Sequence, residues 1–327
     1  MAELVYAFDL KSNGEIRAGS IPALGTKIEI MNILYCGDDG IKRGVLVSIL
    51  SLMINGKKHN LAFGEHKTAN NRGEKNHNLE APIYNIYIAT IEYEGVKPFS
   101  KETTAFLDEL VKKYNPKNSV TLINATEVFT KNLPKKNMGS YFTPCSMLRL
   151  YADKMPELLE CERILYLDYD VVCRGDISEF YNMRLDGIEA AGVLDIYGRR
   201  FYYYHGILKQ DYMNSGVMLF NLDECRKTKM FEKAVELCAK RWMMLADQAA
   251  LNKAIERRAL VDRKYNEQEE RPREDTVLHH FSNNFKFLPY FHVQKVKPFE
   301  VEKVHEILKI TEYDDILDIY NKLKDNL

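Results

Sequence analysis

Arg163-Ile164-Leu165-Tyr166-Leu167-Asp168-Tyr169-Asp170 runs a short apolar segment straight into two carboxylates. Bulky and β-branched residues bounded by polar ones read as a buried strand, and this is the strongest such run in the chain. In extended backbone, positions i and i+2 point to the same side. Asp168 and Asp170 can therefore converge on one hard cation such as Mg2+ or Mn2+, which takes carboxylate and phosphate oxygens. An Asp-X-Asp also occurs in ordinary solvated turns. Its place at the carboxyl end of a buried strand is what marks this one as a candidate site.

On the N-terminal side, Ile33-Leu34-Tyr35-Cys36 reads as a first strand ending at Gly37-Asp38-Asp39-Gly40, followed by a largely apolar helix over 45–55. The stretch 57–80 is polar and reads as a long surface loop. A strand over 83–88 comes next. Ser100 then caps an amphipathic helix carrying Phe106, Leu107, Leu110, Val111 and Tyr114 on one face, and Asn115-Pro116 stops it. A strand over 119–123 and a helical stretch over 144–154 lead into the central strand. Beyond it come strands over 190–194 and 215–221, an aromatic loop containing Phe201-Tyr202-Tyr203-Tyr204, and helices near 229–241 and 247–256. This alternation predicts an α/β fold with a Rossmann-like, doubly wound, mostly parallel sheet that binds ligands beyond the carboxyl ends of its strands.

The expected organisation is one α/β domain over 31–290, a C-terminal helical segment over 291–327, and a non-native or disordered extension over 1–30. Periodicity is lacking in that extension, a strong strand begins just after Met31, and Gly19-Ser20-Ile21-Pro22 matches the translated T-arm of a transfer-RNA gene.

Composition narrows the function classes. The 327 residues carry 46 Lys+Arg against 47 Asp+Glu, so no basic excess points to nucleic acid or an anionic surface. Cys36, Cys145, Cys161, Cys173, Cys225 and Cys238 form no CxxC pair, and reduced, buried thiols of a cytoplasmic protein are expected. The longest apolar run, 45–54, is about half of what a bilayer span needs. With a C-terminal segment that is not basic, membrane contact is expected to be peripheral at most.

An apolar strand ending in Asp-X-Asp-Val also resembles the haloacid-dehalogenase-type phosphatases, where the motif ends the first strand of the domain. Here more than 130 residues of α/β pattern precede it, and no later Gly-Asp pair sits at a suitable strand end. The ordered set of segments from Met31 to about Lys286 instead resembles glycosyltransferase family 8, the retaining family of glycogenin and the bacterial lipopolysaccharide galactosyl- and glucosyltransferases. Asp38-Asp39 after the first strand is similar to the family's uridine-binding opening. Arg149, in Ser146-Met147-Leu148-Arg149-Leu150, matches its YxRL-type arginine, and Leu165 to Val171 its metal motif. Tyr212-Met213-Asn214-Ser215-Gly216-Val217-Met218-Leu219 is close to YFNSGVML, and Asp247-Gln248 with Leu251-Asn252 resembles DQxxLN. His280, with Lys286 six residues on, fits the spacing of HxxGxxKPW, although His279 leaves the histidine open by one position.

The resemblance implies a GT-A-type nucleotide-diphospho-sugar transferase fold. It implies Mn2+ (or Mg2+) on Asp168, Asp170 and His280, with Arg149 and Lys286 near the donor diphosphate. Asp38, and Asp39 as a further candidate, would meet the nucleotide; Asn214, Asp247, Gln248 and Asp195 would meet the sugar. The implied donor is UDP-glucose or UDP-galactose, and the acceptor a glycan, lipid-linked sugar or glycoprotein. The family's glycine is Asn283 here, and Phe287-Leu288 follow Lys286 where Pro-Trp is expected. These departures motivate a second reading, a nucleotide-sugar-binding protein with impaired catalysis. Relatives reading DQD offer a second carboxylate as nucleophile, but here that position is Ala249, so same-face substitution with retention is expected.

Overall fold

Apolar runs become strands here because one sheet is covered on both faces. A computed structural model of the chain describes residues 16–17, 30–56, 82–138, 144–196, 211–286 and 292–327. In chain order the strands are β1 (Ile16–Arg17), β2 (Ile30–Cys36), β3 (Ile83–Thr90), β4 (Ser119–Asn124), β5 (Arg163–Leu167), β6 (Val171–Cys173), β7 (Ala190–Leu194), β8 (Met213–Asn221), β9 (Arg258–Leu260), β10 (Leu278–His280), β11 (Asn284–Lys286) and β12 (His292–Gln294). Eight of them form one sheet in the order β1-β9-β7-β8-β5-β2-β3-β4. All its pairings are parallel except those of β8, which runs antiparallel to both β5 and β7. The expected α/β, mostly parallel architecture is present.

Side-chain alternation sends Ile33, Tyr35, Leu165 and Leu167 into one core, and Leu34, Ile164 and Tyr166 into the other. The helix Lys42–Asn55 is buried continuously from Gly44 to Leu52, which is why its sequence lacks a polar face. The helix Lys101–Tyr114 starts where Ser100 Oγ accepts from Thr103 N at 3.0 Å. It buries Leu107, Leu110 and Val111, but Tyr114, expected on that face, is 42% exposed at the last turn. The stretch Pro144–Lys154 winds as a 3-10 helix with most of its residues buried.

The C-terminal segment differs from a single helix. Two short turns, Val301–Lys303 and Val304–Leu308, precede the helix Asp314–Leu323, and a left-handed Lys309 (φ 56°) ends the turns. Val304, Ile310, Tyr313, Ile316 and Tyr320 join the core that also takes Ile33 and Leu165. Of residues 1–30, the structure describes Ile16–Arg17, paired with β9 at the sheet edge, and Ile30, the first residue of β2. The polar stretch 57–80 and the cluster Phe201-Tyr202-Tyr203-Tyr204 lie outside the described residues. All six cysteines are free thiols, five of them buried. No helix among the described residues is long and apolar enough to cross a membrane.

Candidate active site

The site forms where β5 and β8 end and a small second ladder begins. Asp168 N donates to Gly216 O at 2.7 Å, the last rung of the β5–β8 pairing. Past Asp170 the chain enters β6, which pairs antiparallel with β10 so that His280 stands opposite Val171. Phe281 N donates to Asp170 O at 3.0 Å and locks that register. His280 consequently faces both carboxylates, with Nε2 3.7 Å from Asp168 Oδ2 and 3.4 Å from Asp170 Oδ1. One ligand atom from each of the three residues lies within 4.8 Å of the others. Neighbouring strand residues point to opposite faces, so His279 turns away; its ring nitrogens meet Tyr313 Oη at 2.7 Å and Glu269 O at 2.9 Å. Tertiary register thus resolves the one-position ambiguity in favour of His280.

Each carboxylate has one oxygen held by the protein and one left over. Asp168 Oδ1 accepts from Arg149 at 2.9 Å and from Tyr166 Oη at 2.6 Å. Asp170 Oδ2 accepts from the Lys297 ammonium. Asp170 Oδ1 is buried without a hydrogen-bond donor, a costly state for a carboxylate unless a cation meets it. Burial pushes the Asp170 carboxyl up, but Lys297 and then His280 outweigh it and hold the group far below the usual carboxylate range. His280 Nδ1 lies 3.2 Å from Asn266 Oδ1, an acceptor for a proton on Nδ1, so Nε2 is the ring nitrogen available to a cation. At Gly216 an added Cβ would stand 2.2 Å from His280 Cε1 and 2.9 Å from Asp168 Oδ2, so glycine keeps this space open. The orphaned oxygen, the open space and the mixed carboxylate–imidazole donor set fit a divalent ion of the Mn2+ or Mg2+ type.

A buried hydrogen-bonded network extends from that cluster. Asn266 Nδ2 donates to Asn214 Oδ1 at 3.0 Å, and Asn214 Nδ2 donates to Asp195 Oδ2 at 2.9 Å. Gln248 Nε2 reaches the same Asp195 oxygen at 3.2 Å, while Gln248 Oε1 accepts from Ser215 N at 2.9 Å. Asn214, Asp195, Asp247 and Gln248 are each less than one-tenth exposed. Gln248 and Asp247 occupy the first turn of the helix Ala246–Ala254.

The expected donor-side residues Arg149, Asp39 and Asp38 differ in their surroundings. Arg149 is buried and engaged by protein groups: Ser146 O, Ser215 O, Asp168 and, at 3.1 Å, Asp247. It joins two carboxylates from different elements rather than reaching outward. Asp39 is buried beneath the loop after β2, paired with Lys97 at 2.7 Å and Lys42 at 3.3 Å; against the upward push of burial, these lysines bring its carboxyl below the usual value. Asp38 stands half-buried at the strand end, its Oδ1 accepting from Gly40 N.

Lys286 is not brought to the cluster. It lies in the β11–β12 hairpin and pairs with Glu270 at 2.6 Å. The lysine on Asp170 is Lys297, separated from His280 by that hairpin, whereas counting residues from His280 selects Lys286, which pairs elsewhere. A signal was present in Lys297-Pro298-Phe299, which departs from Lys-Pro-Trp at one position. Tyr166 was also legible, being two residues before Asp168 on the same side of the strand. Asn266 carried no signal in the sequence.

An open α/β sheet with an Asp-X-Asp pair and a histidine at its strand ends is the architecture of a GT-A glycosyltransferase. The chain belongs to glycosyltransferase family 8: the model of "Glycosyl transferase family 8" matches residues 32–299, a span that takes in Lys297-Pro298-Phe299. A lipopolysaccharide 1,2-glucosyltransferase of Escherichia coli K12 is 28% identical over 64% of this chain and 53% of its own length. General stress protein A of Bacillus subtilis is 26% identical over 69% of each. The matches span only 53% and 62% of the first two curated relatives. Among solved structures, an active-site mutant (Q189E) of LgtC aligns over 91% of this chain and all of its own, with a TM-score of 0.61 at 14% identity, a likeness of fold.

Proposed function

We propose that this chain is a retaining glycosyltransferase that moves glucose or galactose from UDP-glucose or UDP-galactose to a glycan, lipid-linked or glycoprotein acceptor. The observation that carries the reading is Asp170 Oδ1, buried and without a donor, facing His280 Nε2 beside Asp168 Oδ2. Relatives support the hexose: one is a lipopolysaccharide 1,2-glucosyltransferase, another a lipopolysaccharide 1,3-galactosyltransferase of Salmonella typhimurium, 26% identical over 52% of this chain.

Asp168, Asp170 and His280 would hold Mn2+ (or Mg2+), which neutralises charge on the departing diphosphate. Lys297, already at the cluster, takes the diphosphate-facing role that spacing assigned to Lys286. Arg149 and Tyr166 keep Asp168 in its rotamer. Asp38 meets the nucleotide, and Asp195, Asn214, Asp247 and Gln248 meet sugar hydroxyls. Gln248 has both ends of its amide engaged and Ala249 offers no carboxylate, which favours same-face attack by the acceptor hydroxyl with its proton passing to the departing phosphate. With Lys297-Pro298-Phe299 as the end motif in place of Lys286-Phe287-Leu288, Asn283 is the one departure left to motivate impaired catalysis.

The test is release of UDP from UDP-glucose and UDP-galactose with Mn2+. Release above blank with at least one donor is expected. No release with any UDP-hexose, despite measurable UDP binding, would establish the binding-protein reading instead.

A further inference from the structure

Asn137 joins two segments more than a hundred positions apart in sequence into one rigid tip. Its Nδ2 donates to Cys238 O at 2.6 Å and Arg241 O at 2.8 Å, and its Oδ1 accepts from Met243 N at 3.0 Å. Asn137 is wholly buried and Met243 is 7% exposed, so the loop 241–245 is anchored from within. Around that anchor the apolar side chains point outward: Trp242 and Met244 are each 67% exposed and Leu245 36%. A large apolar group held in water by a well-bonded loop contributes nothing to the core and implies a surface to meet.

The charges around the tip say which surface. Lys135, Lys136 and Arg241 are exposed beside it, and no ion pair engages them among the described residues. Glu236, on the helix that leads into the tip, pairs with Lys240 at 2.7 Å, and Glu127, earlier in the chain, pairs with Lys131 at 2.6 Å. A sugar platform needs one aromatic face; here an indole is followed by two aliphatic side chains and flanked by uncompensated cations. An amphipathic indole and aliphatic tips favour the headgroup–acyl boundary, and the cations favour an anionic leaflet.

We infer that the tip formed by Lys135, Lys136, Arg241, Trp242, Met244 and Leu245 docks on an anionic lipid bilayer surface. The helix Ala246–Ala254 begins at this tip and carries Asp247 and Gln248 in its first turn. Docking holds that end of the candidate site at the membrane. The surface is separate from the C-terminal segment, whose composition offers no such attraction.

Trp242 is the chain's single tryptophan, so its emission reports on this loop alone. Vesicles of phosphatidylcholine with phosphatidylglycerol are expected to shift the emission to the blue and to carry the full chain upward in flotation, whereas pure phosphatidylcholine does neither. Added salt weakens the effect. The double variant Lys135→Glu, Lys136→Glu loses about tenfold or more in vesicle affinity, and Trp242→Ala with Met244→Ala loses flotation, with far-UV circular dichroism unchanged. Two outcomes overturn the inference: no shift and no flotation with anionic vesicles at low salt, or the same shift with soluble heparin and no flotation, which makes the tip a glycan platform.

Discussion

The Lys297 ammonium sits on Oδ2 of Asp170 across 127 positions of sequence, while Lys286, nearer in sequence to His280, pairs with Glu270. Lys297 thereby closes one side of a carboxylate whose other oxygen is free, and it brings a positive charge to the edge of the cluster.

Exchange of the two lysines separates their roles. Lys297→Met is expected to weaken UDP binding in the presence of Mn2+ by about tenfold or more, read by isothermal titration calorimetry. Lys286→Met is expected to stay within about twofold, since its loss costs only a half-exposed pair. The reverse ranking would return the diphosphate to Lys286.

Gly216 tests the ligand set without touching a ligand. In Gly216→Ala the new methyl falls on His280 Cε1 and close to Asp168 Oδ2, so the ring or the carboxylate must move. Mn2+ affinity, followed by electron paramagnetic resonance without nucleotide, is expected to drop about tenfold or more, as for other misplaced ligands. Unchanged affinity would show that the ion does not bind between these groups.

Arg149 holds Asp168 at 2.9 Å and Asp247 at 3.1 Å from a buried position. Arg149→Met leaves two carboxylates without their shared cation and is expected to cost about 3–5 kcal/mol in urea unfolding. A loss below about 1 kcal/mol would mean that solvent already serves these carboxylates.

Asp153 supplies a pH-dependent stability test away from the site. Burial pushes its carboxyl up from 3.8 to about 6, with Lys154 and Arg226 opposing, and its Oδ1 has no hydrogen-bond donor. Between those two values the folded chain binds the extra proton, so stability falls as pH rises through the window and the penalty is complete above about pH 6. Asp153→Asn is expected to raise the thermal midpoint at pH 8, equivalent to about 1–2 kcal/mol, with the gain shrinking towards pH 4. An equal gain at both pH values would assign it to packing instead of charge.

Much of the site was readable because it rests on local rules. The alternation of Ile164, Leu165, Tyr166 and Leu167 announced a strand with two buried faces, and the i, i+2 relation put Asp168 and Asp170 together. Ser100 declared its cap, and the segments around Asn214 and Asp247-Gln248 carried enough local pattern to identify the family. Tyr114 illustrates the limit of such rules: its spacing matches the buried stripe, but at the last turn of its helix it is 42% exposed.

The strand–helix alternation, the strand-end carboxylates and the family were therefore written in local pattern, since hydrophobic period and turn chemistry act over a few residues. The choice of His280 over His279, of Lys297 over Lys286, and the recruitment of Asn266 were decided by folding. Each depends on register between segments far apart in the chain: β10 against β6, and a hairpin inserted before Lys297. A shift of one residue in such a ladder turns every side chain to the other face, and no local period encodes it.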